Sequence, residues 1–284
     1  MGQITQPVLT TVHSDPQLDY LGRPMAKLLY GTINDWALRK IPYRVCVSDT
    51  MRQLLIGRRF NEKSLYVIYN GVAISPDPPA LTRSEFFEKI GLSVEKDSVV
   101  FGIAARLSPV KDIPTLLTAF SQVAAQEPSA RLVIAGDGEE AQKLRALAEK
   151  LCPAGTYCFA GWLQDTDSFY HAIDVNMLTS LSEGFPYALP EGGKMHCATI
   201  ATAVGGIPYM VVDGETGMLL QPGDVDRLVQ LMLEMIQNPE LRNRLAEAMY
   251  QRTCRDFSLE ATLHTQEKIY QDILRREWEA TQGA

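Results

Sequence analysis

Ser98-Val-Val-Phe-Gly-Ile-Ala-Ala-Arg-Leu-Ser-Pro-Val-Lys-Asp-Ile-Pro114 sets a β-branched, apolar run directly before a polar, proline-flanked turn, and a helical pattern follows it from Pro114 to Gln126. The same alternation recurs to about residue 256. Runs suited to buried strands lie at Ser98 to Ala104, Arg131 to Ala135, Thr156 to Ala160, Val175 to Leu178, Thr199 to Ala201 and Met218 to Leu220. Helical spacing covers Pro114 to Gln126, Glu139 to Leu151, Ser168 to Ala172, Tyr187 to Met195 and Asp224 to Gln237. Short strands alternating with helices are the mark of βαβ units and a parallel sheet, because a parallel neighbour is reached only through a crossover connection. The predicted class is α/β, with a complete Rossmann-like, doubly wound parallel sheet over residues 97–256.

Outward from that block the pattern weakens. Residues 1–70 offer three short strand candidates, Val8 to Val12, Arg44 to Val47 and Leu65 to Ile68, too few for an independent sheet of this class. They read as an incomplete N-terminal domain. Residues 71–96 read as a linker, with Gly71, the proline-rich Ser75 to Pro79 and a helix over Ser84 to Ile90. Residues 257–284 read as a C-terminal helix whose apolar positions Leu263, Ile269, Tyr270, Ile273, Leu274 and Trp278 recur at near-helical spacing.

The chain has 284 residues, 46% apolar and 21% charged, which excludes disordered and collagen-like classes. No apolar run reaches the roughly 18 residues that span a bilayer, and the first residues lack the basic and apolar regions of a signal peptide. A cytoplasmic location is expected. The five cysteines form no CxxC pair and are odd in number, which argues against a disulfide framework or a zinc site.

Charge is uneven. Residues 20–65 carry Arg23, Lys27, Arg39, Lys40, Arg44, Arg52, Arg58, Arg59 and Lys63 against Asp35, Asp49 and Glu62, a local +6 in a chain of net charge -7. Interleaved with Leu28, Leu29, Tyr30, Trp36, Leu38 and Ile41, these cations suit either a solvated helix face, the preferred reading, or contact with anionic lipid headgroups or an anionic acceptor.

Four constellations bear on chemistry. Arg106 and Lys111 follow the strand Ser98 to Ala104 and precede a helix. Ligands of an open parallel sheet bind beyond the carboxyl ends of its strands, so both cations face that cleft, and a guanidinium fork with an ammonium suits a diphosphate. Glu183 and Glu191 bracket Gly-Phe-Pro-Tyr-Ala-Leu-Pro after the strand Val175 to Leu178, a placement from which two carboxylates can grip sugar and ribose hydroxyls. The plain alternative makes Glu183 a helix cap and Glu191 a surface residue. Gly136-Asp-Gly-Glu-Glu-Ala141 satisfies GxGxxA, yet no acidic residue stands about 20 positions on to hold a ribose, so a tight turn is preferred over nicotinamide binding. Asp165-Thr-Asp167 has the form of a metal clasp but precedes a helix, where acidic residues cap the first N–H groups. His13 ends a strand in Thr-Val-His-Ser-Asp and is open to either a structural or a cleft role.

Taken in order, Arg106 with Lys111, Gly136 and Gly138, the Glu183 to Glu191 pair, Val204-Gly-Gly-Ile-Pro208 and Asp213-Gly-Glu-Thr-Gly217 resemble the family-4 retaining glycosyltransferases of GT-B type, also called glycosyl transferases group 1. The resemblance runs from about residue 67 to 275 and opens on the segment Val67-Ile-Tyr-Asn-Gly-Val72. It implies two Rossmann-like domains, the C-terminal one holding a nucleotide-diphosphate sugar and the N-terminal one the acceptor. It implies further that Arg106 and Lys111 bind the donor diphosphate and that Glu183 contacts the donor sugar beside the reacting centre. The backbone of Gly184, Phe185, Pro186, Tyr187, Ala188 and Leu189 would touch sugar hydroxyls and phosphate, Gly136 would line the donor cleft, and Glu191 would hold the ribose. His13 matches the family histidine that reaches the donor sugar. The implied chemistry is transfer with retention at the anomeric carbon, through an oxocarbenium-like transition state, with no cofactor and no required metal.

Three departures accompany the resemblance. After Glu191 the chain has Gly192-Gly-Lys-Met-His-Cys197 in place of a small-residue run ending in Gly and Pro, and Tyr209 stands where an acidic residue often follows Gly-Gly-Ile-Pro. About 80 to 100 residues expected by fold size before Thr-Val-His-Ser-Asp are absent, so the N-terminal domain reads as truncated. The expected function is a hexosyltransferase-type glycosyltransferase of cell-surface polysaccharide synthesis, with a glycan or lipid-linked acceptor and peripheral contact with an anionic inner membrane surface. No nucleic-acid partner is expected. The alternatives are an inactive or partner-dependent donor-binding fragment and a GT-B type nucleotide-sugar epimerase.

Overall fold

A computed structural model describes residues 6–13 and 32–282. The chain divides into two compact units, one of residues 1–71 with 256–284 and one of residues 72–255. Arg23, Lys27, Leu28, Leu29 and Tyr30 of the basic segment lie outside the described residues.

In the first unit β1 (Leu9–Val12), α1 (Thr32–Lys40), β2 (Tyr43–Cys46), α2 (Asp49–Gly57) and β3 (Leu65–Val67) build a three-stranded parallel sheet in the order β1-β2-β3. Each strand starts or stops within two residues of its sequence-based expectation. Val12, Leu38, Cys46, Met51, Leu55, Phe60 and Leu65 form one apolar cluster, and Ser48 caps α2 by accepting from the amide of Met51 at 3.2 Å. The C-terminal helix Leu259–Gln282 belongs to this unit. It is held by polar contacts more than by its apolar stripe, since Leu263, Leu274 and Trp278 remain exposed. The Tyr43 hydroxyl donates to Glu277 at 2.6 Å, that of Tyr66 to Asp272 at 2.8 Å, and Arg276 to the Lys63 carbonyl at 2.8 Å.

The second unit contains α3 (Arg83–Ile90), β4 (Val100–Ala104), α4 (Ile113–Gln126), β5 (Arg131–Ala135), α5 (Ala141–Leu151), β6 (Tyr157–Gly161), α6 (Thr166–Ala172), β7 (Val175–Leu178), α7 (Ala188–Lys194), β8 (Ala198–Thr202), α8 (Ile207–Met210), β9 (Met218–Leu220), α9 (Val225–Gln237) and α10 (Pro239–Asp256). Its six strands are all parallel and run β6-β5-β4-β7-β8-β9. The chain builds outward from β4 through β5 to β6, then returns to lay β7, β8 and β9 on the other side. The order therefore reverses between β4 and β7, where loops leave in opposite directions and open a crevice.

Both faces of the sheet are covered, which is why its strands read as continuous apolar runs. On one face Phe101, Ile103, Leu132 and Ile134 pack with Leu116, Leu117 and Phe120 of α4, Leu144 of α5 and Leu228, Leu231 and Met232 of α9. On the other, Val100 and Val133 pack with Phe86 and Phe87 of α3 and with Phe169 and Tyr170 of α6.

The segment 71–96, expected as a linker, belongs from Val72 onward to the second unit. The reason is a partly exposed ion pair together with two buried phenylalanines, Phe86 and Phe87. Arg83 donates to both carboxylate oxygens of Asp174 at 3.1 and 2.9 Å and to the Ala172 carbonyl at 2.6 Å, while Asp174 also accepts from the amide of Val100 at 2.7 Å. A forked, charge-assisted contact of this kind contributes about 1.5–3 kcal/mol, against about 0–1 kcal/mol for exposed pairs such as Arg275 with Asp272.

Two expectations follow. Arg83→Ala lowers the unfolding free energy in urea by about 1.5–3 kcal/mol, with Arg83→Lys recovering part of it because one ammonium cannot replace the fork. The phenols of Tyr43 and Tyr66 are each pushed from 10.0 up to about 12, Tyr43 first by its hydrogen bond to Glu277 and Tyr66 first by burial. A phenol bound in its protonated form stabilises the fold fully below its unfolded value of 10.0 and loses that contribution as pH rises towards about 12. The melting temperature falls over that window, and Tyr43→Phe/Tyr66→Phe, which has no phenol at either place, shows a shallower fall.

Candidate functional site

Two loops meet at the switch point. The first leaves β4 through Arg106 and a short 3-10 turn, Pro109–Lys111, whose rigid φ at Pro109 suits that turn. The second leaves β7 as Thr179-Ser-Leu-Ser-Glu183. They are joined at three places. The amide of Leu181 donates to the Val110 carbonyl at 2.7 Å, the Thr179 hydroxyl donates to the Lys111 carbonyl at 2.9 Å, and the Lys111 ammonium reaches Glu183 Oε1 at 2.5 Å. The Ser180 hydroxyl donates to the same carboxylate oxygen at 2.5 Å. Side chains of Lys111 and Glu183 keep only 21% and 10% of their surface, so this pair is shielded on most sides.

Two glycines let the next loops along the sheet pack against these two. At Gly205 φ is +53°, and a Cβ there would stand 1.7 Å from the Glu183 carbonyl oxygen. The amide of Gly206 donates to that carbonyl at 3.2 Å. Gly136, with φ at +123°, lies equally close to the Ala105 carbonyl, where a Cβ would come within 1.9 Å. The GxGxxA turn is thus packed against the β4 loop, with Leu107 donating to the Asp137 carbonyl at 2.9 Å and Glu140 to the Leu107 carbonyl at 3.0 Å. Its glycines serve backbone packing, in agreement with the tight-turn reading.

Arg106 stands apart from the shielded pair. Its side chain is 74% exposed and touches Glu139 at 3.2 Å, a contact easily exchanged for another anion. Glu183 caps no helix, since α7 starts at Ala188 with Tyr187 at its N-cap position and no side-chain cap. Phe185 and Leu189 are buried, Tyr187 is exposed, and the Phe185 and Tyr187 rings meet edge to face at 6.3 Å. Glu191 is not a plain surface residue either. It is half-buried, and burial raises its carboxyl above the ordinary value, an effect opposed by the Tyr170 hydroxyl and the Lys194 ammonium. Lys194 is itself paired with Asp167 at 2.7 Å.

The unusual run after Glu191 has a packing cause. A Cβ at Gly192 would stand 2.5 Å from Asn176 Nδ2, and Asn176 is a fully buried side chain of β7 that donates to the Ala188 carbonyl at 2.7 Å. Two residues beyond the helix, His196 stands in the left-handed region, its ring stacked at 3.9 Å on Tyr250.

Asp165 behaves as the cap it resembles. It accepts from the amide of Ser168 at 3.0 Å and from its hydroxyl at 2.5 Å; burial pushes its carboxyl up, and these bonds hold it below the ordinary range. Asp213 accepts from the amide of Leu219 at 2.8 Å and so shapes the turn into β9. His13 follows β1 in the first unit and is exposed. Asn176, Thr179 and Ser180 were not singled out from sequence. Their signal is two hydroxyls and an amide in or just after a strand whose other residues are apolar.

Gly205→Ala is expected to lose about 2–4 kcal/mol in urea unfolding, because the loop carrying Glu183 must move to admit the Cβ. Lys111→Met leaves a shielded carboxylate without its cation and costs about 1–3 kcal/mol by the same measurement.

Comparison with known proteins places this geometry in a family. The profile described as glycosyl transferases group 1 matches residues 84–252. The lipopolysaccharide core biosynthesis glycosyltransferase LpsE of Rhizobium meliloti is 29% identical over 174 residues, 61% of this chain and 50% of that one. The Escherichia coli UDP-Gal:alpha-D-GlcNAc-diphosphoundecaprenol alpha-1,3-galactosyltransferase is 25% identical over 244 residues, 82% of this chain and 61% of that one. The chain spans about half the length of the curated relatives it matches. Among solved structures, Anabaena HepE in complex with UDP and glucose superposes with a TM-score of 0.79 at 20% identity, over 94% of this chain and 71% of that one. At that identity the likeness speaks for the GT-B fold alone. The chain belongs to the glycosyl transferases group 1 family.

Proposed function

We propose that this protein is a hexosyltransferase-type glycosyltransferase that moves a sugar from a nucleotide-diphosphate sugar to a glycan or lipid-linked acceptor, with retention at the anomeric carbon, in cytoplasmic steps of cell-surface polysaccharide synthesis. The observation that carries the reading is the contact of Lys111 with Glu183 at the reversal between β4 and β7.

The parts assign themselves by chemistry. A diphosphate entering the crevice meets Arg106, whose exposed pairing with Glu139 is worth little and whose fork takes two phosphate oxygens at once. Lys111 spends one of its three N–H groups on Glu183 and keeps two for phosphate. As the glycosidic bond breaks, negative charge grows on the leaving diphosphate, and cations already in place stabilise it without reorganisation. Among the described residues Lys111 and Ser180 both bond Oε1 of the Glu183 carboxylate, and Oε2 is the atom we assign to the positive charge developing at the anomeric carbon of the donor sugar. Glu191 accepts from the ribose diol. A role of His13 on the donor sugar is carried over from the family resemblance alone. No cofactor and no metal is required in this reading.

A panel of UDP, GDP, ADP and their sugar conjugates tests it by thermal shift. Ligand at about 100 times its Kd adds about 2.7 kcal/mol to the native state, which is a shift of several degrees. One base is expected to raise the melting temperature, with the shift lost in Arg106→Ala. No shift from a cooperatively melting protein overturns the donor site. His13→Ala is expected to keep the nucleotide shift and lose transfer; a new sugar formed from donor alone would favour the epimerase instead.

Acidification supplies a second check. Since burial raises the Glu191 carboxyl above 4.5, the acceptor for the ribose diol is lost at a higher pH than for an ordinary glutamate. Nucleotide affinity in the wild type falls as pH approaches that range, whereas Glu191→Gln binds more weakly at neutral pH and shows no such fall.

A further inference from the structure

Helix α7 carries Glu191, and its main chain is fixed at both ends. In the first turn the Asn176 amide donates to the Ala188 carbonyl at 2.7 Å, and Gly192, with no Cβ, lets the helix lie directly on that amide. In the last turn the Lys194 ammonium meets Asp167 of α6 at 2.7 Å, with 11% of the lysine side chain exposed. Just beyond it the Cys197 thiol donates to the Tyr170 carbonyl of α6 at 3.0 Å. A pinned helix does not settle the outer torsions of a glutamate, which stay free unless a partner holds the carboxylate.

Two rungs cross from α6 to α7. Asp167 and Tyr170 stand three residues apart on one helix and Glu191 and Lys194 three apart on the other, so each pair shares a helix face. Asp167 with Lys194 is the first rung. Tyr170 with Glu191 is the second. The Tyr170 ring is fully buried and meets that of Phe169 edge to face at 4.9 Å. Its hydroxyl is sealed from solvent, has no aligned hydrogen-bond partner among the described residues, and faces the Glu191 carboxylate. A phenylalanine would fill the same space without burying a polar atom, so packing gives no reason for the hydroxyl. The acceptor beside it does. The other charged groups facing Glu191 are Lys194, which favours its ionised form, and Asp167, which opposes it.

We propose that Tyr170 is a positioning residue of the donor site: its hydroxyl donates to the Glu191 carboxylate, fixes the plane of that group and leaves one of its oxygens turned to the ribose diol. The proposal rests on the reading of Glu191 as the acceptor for that diol. Tyr170 is itself fully buried and acts only through Glu191.

Calorimetric titration with UDP, GDP and ADP, each against its 2′-deoxy form, decides it in the wild type, Tyr170→Phe, Glu191→Gln and Phe169→Leu. For the base that binds, the wild type is expected to prefer the ribonucleotide by about tenfold or more, the scale of a hydrogen bond to a charged group, and Glu191→Gln to lose that preference. Tyr170→Phe is expected to cut the preference to about a third or less while binding the 2′-deoxy form as the wild type does. Phe169→Leu disturbs the same core without touching the hydroxyl, so it lowers the melting temperature and keeps the preference. A phenol donating to the carboxylate favours its ionised form, so on acidification nucleotide affinity begins to fall at a higher pH in Tyr170→Phe, with Lys194 and Asp167 unchanged. A preference kept in Tyr170→Phe and lost in Glu191→Gln overturns the proposal and leaves the ribose reading standing. A preference lost equally in Phe169→Leu overturns it too, by making the effect one of core packing. No preference in the wild type, or one that Glu191→Gln retains, overturns the ribose reading and the proposal with it, and no binding of any nucleotide overturns the donor site as a whole.

Discussion

At the carboxyl edge of the six-stranded sheet, the main chain of one loop rests directly on the main chain of the next. Gly136 lies on the Ala105 carbonyl and Gly205 on the Glu183 carbonyl, each at a distance that leaves no space for a Cβ. Any other residue at either place would wedge the loops apart. Between the two loops so backed, Leu181 donates to Val110 and Thr179 to Lys111, and a lysine from one strand end meets a glutamate from another. The ion pair therefore sits between two loops, each of which is backed on its other side by a glycine contact with the next loop.

The same two glycines show what a sequence reading can and cannot separate. Strands β5, β7 and β9 match their expected bounds because each is an uninterrupted apolar run between turns, the one pattern a doubly covered parallel strand must have. Gly136 was legible as a turn and not as a nucleotide fingerprint, because the missing acidic partner could be checked by counting. Its real contact, the Ala105 carbonyl, could not be found this way, since it depends on how β4 and β5 align. Helix α10 escapes a periodicity argument for a related reason: it buries only Leu245, Ala246, Met249 and Thr253 along a polar length of 18 residues. The segment 71–96 resembles a linker in composition, and the features that fold it onto the second unit are the burial of Phe86 and Phe87 and the pairing of Arg83 with Asp174, two residues 91 positions apart.

Charge was legible in sum and misleading in detail. Of the nine cations counted in residues 20–65, Arg44 proves to be an internal strut, and Arg39 and Arg52 have acidic partners. Among the described residues Lys40, Arg59 and Lys63 stay exposed, and Lys40 shares α1 with the exposed Ile33 and Trp36. A tally treats Arg44 and Arg59 alike; burial separates one that braces the Leu38 carbonyl from one that faces solvent.

The shielded pair of Lys111 and Glu183 carries a further consequence. A carboxylate with a tenth of its surface exposed and no cation beside it would lose several kcal/mol of solvation, so Lys111 is needed to fold this loop whether or not a ligand ever arrives. The fold by itself draws on this contact, so loss of stability in a Lys111 variant is no evidence of a catalytic part. Arg106 is the cleaner probe, since its exposed contact with Glu139 contributes little to the fold. What Arg106 does can be read only in the ligand-bound protein, and that contrast between a cation the fold requires and one it does not is what lets structure and function be tested apart.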